Sequence, residues 1–177
     1  PALRPEEPMV FALIPDPLVS QMIGKVSQET VNSYISGLSG ESPVTVEGAP
    51  YTITTRYTKS GTPLQKATQY VFEQLQAMGL VTSFRNWTYG SGGRNVAGEL
   101  RGSSLPEEIV LLTAHLDNVP RTGTAPGADD NASGSAALLT AANIMSGYRF
   151  QRTIRFVFFT GEEQGLLGSR AYVRDHL

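Results

Sequence analysis

The chain has 177 residues, 40% of them hydrophobic and 17% charged, which is the composition of an ordinary soluble globular protein with one substantial core. Fourteen Lys+Arg against sixteen Asp+Glu leave a formal charge of -2, and no basic run follows a phosphate backbone, so no nucleic-acid partner is expected. The chain has no cysteine, which removes disulfides, thiolate metal sites and a Cys nucleophile together; any metal must be held by His, Asp and Glu.

No apolar stretch approaches the roughly 20 residues of a membrane-spanning helix, because Met9 to Ile14 is broken at once by Pro15, Asp16 and Pro17. That run does not read as a signal peptide either, since Glu6 and Glu7 stand where a basic segment belongs. Residues 1–24 are Pro-rich and aperiodic, and read as an extended arm or the remnant of a pro-segment. Residues 25–177 read as one domain.

Ser27 is a candidate N-cap with Glu29 in the first turn, and Val31, Tyr34, Ile35 and Leu38 form an apolar stripe ending near Gly40. Residues 41–61 suit a loop with some extended structure. Thr62-Pro63-Leu64-Gln65 reads as a capping box with Pro at the first helical position, followed by Ala67, Val71, Leu75 and Met78 and stopped by Gly79. Four β-branched, apolar runs come next, at residues 81–87, 95–100, 109–114 and 154–160, with Gly90 to Gly93 as the turn of a hairpin. The last two runs are nearly continuous, as in strands covered on both faces, and Ala132 to Met145 between them is helical. A β-α-β crossover follows, and with it an α/β, three-layer α-β-α sandwich around a mixed, mainly parallel sheet.

Ligands bind beyond the carboxyl ends of parallel strands, and here both ends carry metal-type side chains. His115-Leu116-Asp117 follows the third run, and Gly161-Glu162-Glu163-Gln164-Gly165 follows the fourth. Gly127-Ala128-Asp129-Asp130-Asn131-Ala132-Ser133-Gly134 leads into the crossover helix. Imidazole and carboxylate are zinc's ligands when thiolate is absent. Asp117 lies close enough to accept the second imidazole N–H and fix the tautomer. Of two adjacent glutamates, one can bind metal while the other faces a water as a base. Each motif alone has an ordinary explanation, as a loop hydrogen bond or a helix cap, and Asp129 is a natural cap. Their succession at consecutive strand ends is what singles them out.

That succession, from His115-Leu116-Asp117 through Pro126 to Gly134 and Thr160 to Ser169, resembles the co-catalytic zinc aminopeptidases of bacterial leucyl and Streptomyces type. A weaker likeness reaches back to Ser27 and to Thr55-Arg56-Tyr57. The resemblance implies two zinc ions in the complete domain, with His115 on one, Glu163 on the other and Asp130 bridging. It makes Glu162 the general base and leaves Asp117 its supporting role, with a cis peptide between Asp130 and Asn131. It further implies peptide or protein amino termini as substrate and a secreted or periplasmic location. Family members supply two more ligands, a later Asp and a His, and His176 does not match that His, so the domain is expected to be truncated at the carboxyl end. A strand edge and apolar surface are then left uncovered.

Competing readings are a serine hydrolase, a glutaminyl-cyclase-like zinc enzyme and a non-catalytic peptidase-like binding domain. The first lacks its Gly-x-Ser-x-Gly elbow. The intact Gly-Glu-Glu and Asp-Asp-Asn patterns weigh against the other two. The sequons at Asn86 and Asn131 receive no role, and nothing in the sequence sets the assembly state.

Overall fold

The computed structural model describes residues 16–88, 92–120 and 126–175. Its first element falls inside the segment expected to be an extended arm. Helix α1 spans Pro17–Ile23 because Asp16 caps it, accepting from the amides of Leu18 (2.7 Å) and Val19 (3.3 Å), while Pro17 supplies a ready-made first-turn φ. Such a short helix carries too little apolar periodicity to show in the sequence.

Helix α2, Gln28–Ser39, starts and stops where its signals lie. The Ser27 hydroxyl accepts from the Thr30 amide at 3.1 Å, and Gly40 closes the helix in the left-handed conformation. The following loop contains a small hairpin of β1 (Val44–Val46) and β2 (Ala49–Tyr51). Helix α3, Thr62–Ala77, is the longest helix among the described residues. Its expected capping box does not form: Thr62 is already helical, Gly61 is the cap residue, and the free Leu64 amide donates instead to the Ser60 hydroxyl at 3.2 Å. The capping hydroxyl therefore comes from Ser60, two residues before the predicted motif.

Strands β3 (Val81–Trp87), β4 (Gly93–Leu100), β5 (Leu105–His115) and β6 (Arg152–Phe159) form one mixed sheet in the order β3-β4-β6-β5. The pairings β3–β4 and β4–β6 are antiparallel, and β5–β6 is parallel. Among the described strands the sheet is thus mixed with one parallel pairing rather than mainly parallel, because the 81–100 segment folds back on itself. Gly90 and Ser91 of the expected turn lie outside the described residues, while Trp87 faces Gly93 across the flanking pair.

Helix α4, Gly134–Met145, makes the crossover between β5 and β6. Helices α2, α3 and α4 cover one sheet face. Ile154, Phe156 and Phe158 of β6 meet Val71, Leu75, Leu138 and Leu139 there. The alternate residues Val157 and Phe159 face the opposite side, with Ala97 and with Tyr172 of α5 (Leu167–Arg174). Burying one such large side chain contributes roughly 1.5–3 kcal/mol, so the two faces of β6 anchor the three layers. The period-two alternation explains its continuous apolar sequence.

Strand β5 departs from the expectation that it is covered on both faces. Ile109, Val110 and Leu111 are each 45% exposed, because β5 is the outer strand and pairs with β6 alone among the described strands. No helix among the described residues is long and apolar enough to cross a membrane.

Candidate metal centre

The parallel register aligns His115, the last residue of β5, with Phe159, the last of β6. The chain leaving each strand is tied to the other: the Leu116 amide donates to the Phe159 carbonyl at 2.7 Å, and the Ser135 hydroxyl of α4 to the His115 carbonyl at 3.0 Å. Beyond β6, Gly161 turns the chain with φ +74, a conformation that a side chain rarely adopts, and packs against the Trp87 ring. Trp87 Nε1 donates to the Thr160 hydroxyl at 3.1 Å, and Asn95 accepts from the Thr160 amide while donating to the Gly168 carbonyl, each at 3.0 Å. The Glu162-Glu163 turn therefore sits on a rigid base.

The Asp117 carboxylate is fully buried and lies between the two strand ends. Its Oδ1 accepts from the Glu162 amide at 3.2 Å; its Oδ2 accepts from the Glu163 amide at 3.4 Å and from the Thr58 hydroxyl at 2.8 Å. This departs from the expected carboxylate–imidazole bond. His115 Nδ1 lies 4.0 Å from Asp117 Oδ1 and 3.2 Å from the Asp117 main-chain carbonyl. The carboxylate is turned toward the two glutamate amides, and the carbonyl is left to meet the imidazole. A carbonyl accepts only from an N–H, so the tautomer with its proton on Nδ1 makes this bond and turns the Nε2 lone pair toward a metal.

That Nε2 points at Asp130, with Oδ1 3.2 Å away. Asp130 is 73% exposed at its side chain and enters from the irregular wide turn Ala128–Ser133, in which the Asp130–Asn131 peptide is cis. His115, Glu162 and Glu163 each offer a ligand atom within 4.8 Å of the others. Burial, then the neighbouring carboxylates of Asp130, Glu162 and Asp117, push the Glu163 carboxyl up, against a smaller opposing pull from His115. Three half-buried side chains of the right type, with the exposed Asp130 beside His115, thus place like charges together where a cation would relieve them.

The separations fit a metal. Two ligand atoms each about 2.0–2.1 Å from a tetrahedral zinc stand roughly 3.3 Å apart, close to the 3.2 Å between His115 Nε2 and Asp130 Oδ1. All five residues singled out in the sequence, His115, Asp117, Asp130, Glu162 and Glu163, lie in this cluster. His176 lies outside the described residues.

Thr58 and Asn95 carry no motif signal, because their bonds run across more than 50 residues of chain. Arg56 was visible only as part of a weak likeness. It is completely buried, and its guanidinium donates to main-chain carbonyls: Nε to Leu116 at 2.7 Å, Nη1 to Leu38 and to Pro126 (2.8 Å), and Nη2 to Gly127 at 2.8 Å. Burial lowers its pKa to about 10, with Asp117 and Asp130 acting in the opposite direction.

Imidazole and carboxylates gathered beyond adjacent parallel strands of an α/β sheet are a donor set suited to a metal ion. Over residues 95–177 the chain matches the family model described as Peptidase family M28. It is 34% identical over 184 residues to leucine aminopeptidase 1 of Arthroderma gypseum, a match covering 94% of this chain and 48% of that protein. It is 38% identical over 106 residues to aminopeptidase YwaD of Bacillus subtilis, covering 59% of this chain and 22% of that one. The chain spans about half the length of the first of these relatives. The crystal structure of LapB from Legionella pneumophila superimposes over 90% of this chain and 42% of its own, with a TM-score of 0.73 at 21% identity, a likeness of fold. A glutaminyl cyclase from Porphyromonas gingivalis shares that fold, with a TM-score of 0.66 at 21% identity over 84% of this chain and 53% of its own.

Proposed function

We propose that this chain carries part of the zinc-binding and proton-transfer machinery of an aminopeptidase that hydrolyses amino-terminal peptide bonds. The observation that carries the reading is the convergence of His115, Asp130, Glu162 and Glu163 beyond β5 and β6. In the complete domain His115, Asp130 and Glu163 would hold the zinc, two ions in this reading. When bound, zinc supplies Lewis acidity that polarises the scissile carbonyl and makes a water more acidic.

The protein's own residues do the rest. Glu162 accepts a proton from the attacking water as the water oxygen bonds to the carbonyl carbon. The carbon–nitrogen bond then breaks, and Glu162 returns that proton to the departing amine. Asp117 holds the Glu162 and Glu163 amides on one buried carboxylate, so the base and its neighbouring ligand keep a fixed relation. The main-chain carbonyl of Asp117 keeps the His115 lone pair on Nε2, where the ligand atom is required.

Glu162→Gln preserves shape and hydrogen-bonding reach but cannot accept the proton. It is expected to lower kcat on a leucine anilide by about 100- to 10,000-fold while zinc content stays unchanged. A variant that keeps its rate refutes Glu162 as the base. Release of free aniline without a cyclised product separates the peptidase from the cyclase reading.

A further inference from the structure

The segments that carry His115 and Asp130 stand at a ligand–ligand separation, with His115 Nε2 3.2 Å from Asp130 Oδ1. Arg56 connects them. Leu116, whose carbonyl takes Nε, lies between His115 and Asp117; Pro126 and Gly127, whose carbonyls take Nη1 and Nη2, stand immediately before the turn that delivers Asp130. A third strut runs to Leu38 at the end of α2. The Arg56 main chain joins the same cluster, its amide donating to Asn118 Oδ1 at 3.2 Å. The fit is close on the far side as well: at Gly127, with φ +49, a Cβ would stand 3.0 Å from Nη2 and 2.5 Å from the Asp130 carbonyl oxygen.

We infer that Arg56 is a positioning residue that sets the separation of the segments bearing His115 and Asp130, and with it the metal affinity of the site. The inference rests on the zinc reading above. Its distinguishing feature is the choice of acceptors. An arginine paired with Asp117 or Asp130 through their carboxylates would compete with a metal for lone pairs. Arg56 donates to carbonyls, so it places a buried positive charge among the acidic residues and leaves every ligand atom free. A planar fork is needed for this; an ammonium offers three donors from one point and cannot reach acceptors on three segments.

The test compares Arg56→Lys with Leu75→Ala, a core change in α3 away from the cluster, using the protein's full chain. Zinc affinity is measured by competition with a chromophoric chelator, and cobalt substitution reports the ligand field. Arg56→Lys is expected to weaken zinc binding by about 10- to 100-fold, the range for residues that orient ligands, and to shift the cobalt visible bands. Leu75→Ala lowers stability but leaves affinity within about threefold of the parent, since it removes packing far from the ligands. Equal affinities for Arg56→Lys and the parent overturn the inference, because charge alone is then sufficient. A second measurement needs no variant: in the metal-free protein the Arg56 Nε–H, followed by NMR, is protected from exchange, and rapid exchange there overturns a preformed clamp. An unmodified protein that binds zinc with this protection but hydrolyses nothing overturns only the aminopeptidase reading; one that binds no zinc overturns both.

Discussion

Replacing Asp117 with Asn removes one charge and changes almost no volume, which makes it a sharp test of how the site is built. The carboxylate accepts three hydrogen bonds while fully buried: two on Oδ2, from Thr58 Oγ1 and the Glu163 amide, and one on Oδ1, from the Glu162 amide. An asparagine keeps one oxygen. With that oxygen placed at Oδ2, its NH2 faces the Glu162 N–H, donor against donor, and the lost bond to a charged acceptor costs about 1.5–3 kcal/mol. The two surviving bonds fall from charged to neutral acceptors, roughly halving each. The sum is on the order of 3 kcal/mol. With an m-value of about 2 kcal/mol/M in urea, the unfolding midpoint drops by roughly 1.5 M with m unchanged. Equilibrium unfolding followed by Trp87 fluorescence measures this directly. A midpoint drop below about 0.5 M, on the same m-value scale, refutes the claim that this carboxylate anchors the glutamate turn.

Alkaline pH tests the core beside α2. Burial, then Tyr34, push the Tyr70 hydroxyl up to about 12 from an ordinary 10.0. Below pH 10 both folded and unfolded chains keep the proton; between 10 and 12 only the folded chain does, so this contribution to stability is lost as pH rises through that window. A Tyr70→Phe variant should show a shallower loss of stability above pH 10 in urea titrations, and an identical slope contradicts the burial argument. At Gly168, an added Cβ would collide with Asn95 Oδ1 and the Thr160 carbonyl oxygen, both fixed by hydrogen bonds. Gly168→Ala is expected to cost about 3 kcal/mol and lower Tm by on the order of 10 °C. Gly147→Ala, whose Cβ meets only the Ile144 carbonyl oxygen at 3.6 Å, should leave the melt unchanged; equal melting of the two variants shows that the clamp yields.

Local signals read well where the backbone's own chemistry decides the outcome. Ser27 and Gly40 bound α2 because a hydroxyl cap and a left-handed glycine act within one turn. The continuous apolar run of β6 marked a strand with two covered faces, whereas the similar run of β5 gave no hint of its exposure, since burial depends on which neighbours a strand acquires. The acidic and imidazole residues were legible as a site because their types are unusual beyond strand ends. Their supporting bonds were not. A motif states that Asp117 lies two residues from His115, but not that its carboxylate turns toward residues 162 and 163, which are 45 and 46 positions away. Arg56 escaped for the same reason, as its acceptors are main-chain atoms without sequence identity.

The amides of Glu162 and Glu163 hang from the two oxygens of a single side chain. In the proposed roles, one of these residues moves protons and the other holds metal, yet they share one hinge point. Substitutions that re-seat the turn therefore trade both properties at once: in a collection of turn variants, the logarithms of turnover and of metal dissociation constant should fall along one line. Evolution on this scaffold cannot tune the base by moving the backbone beneath it without also retuning the ligand. Divergence in chemistry is channelled instead into side-chain replacement at 162 or 163, where one function can be altered while its neighbour stays in place.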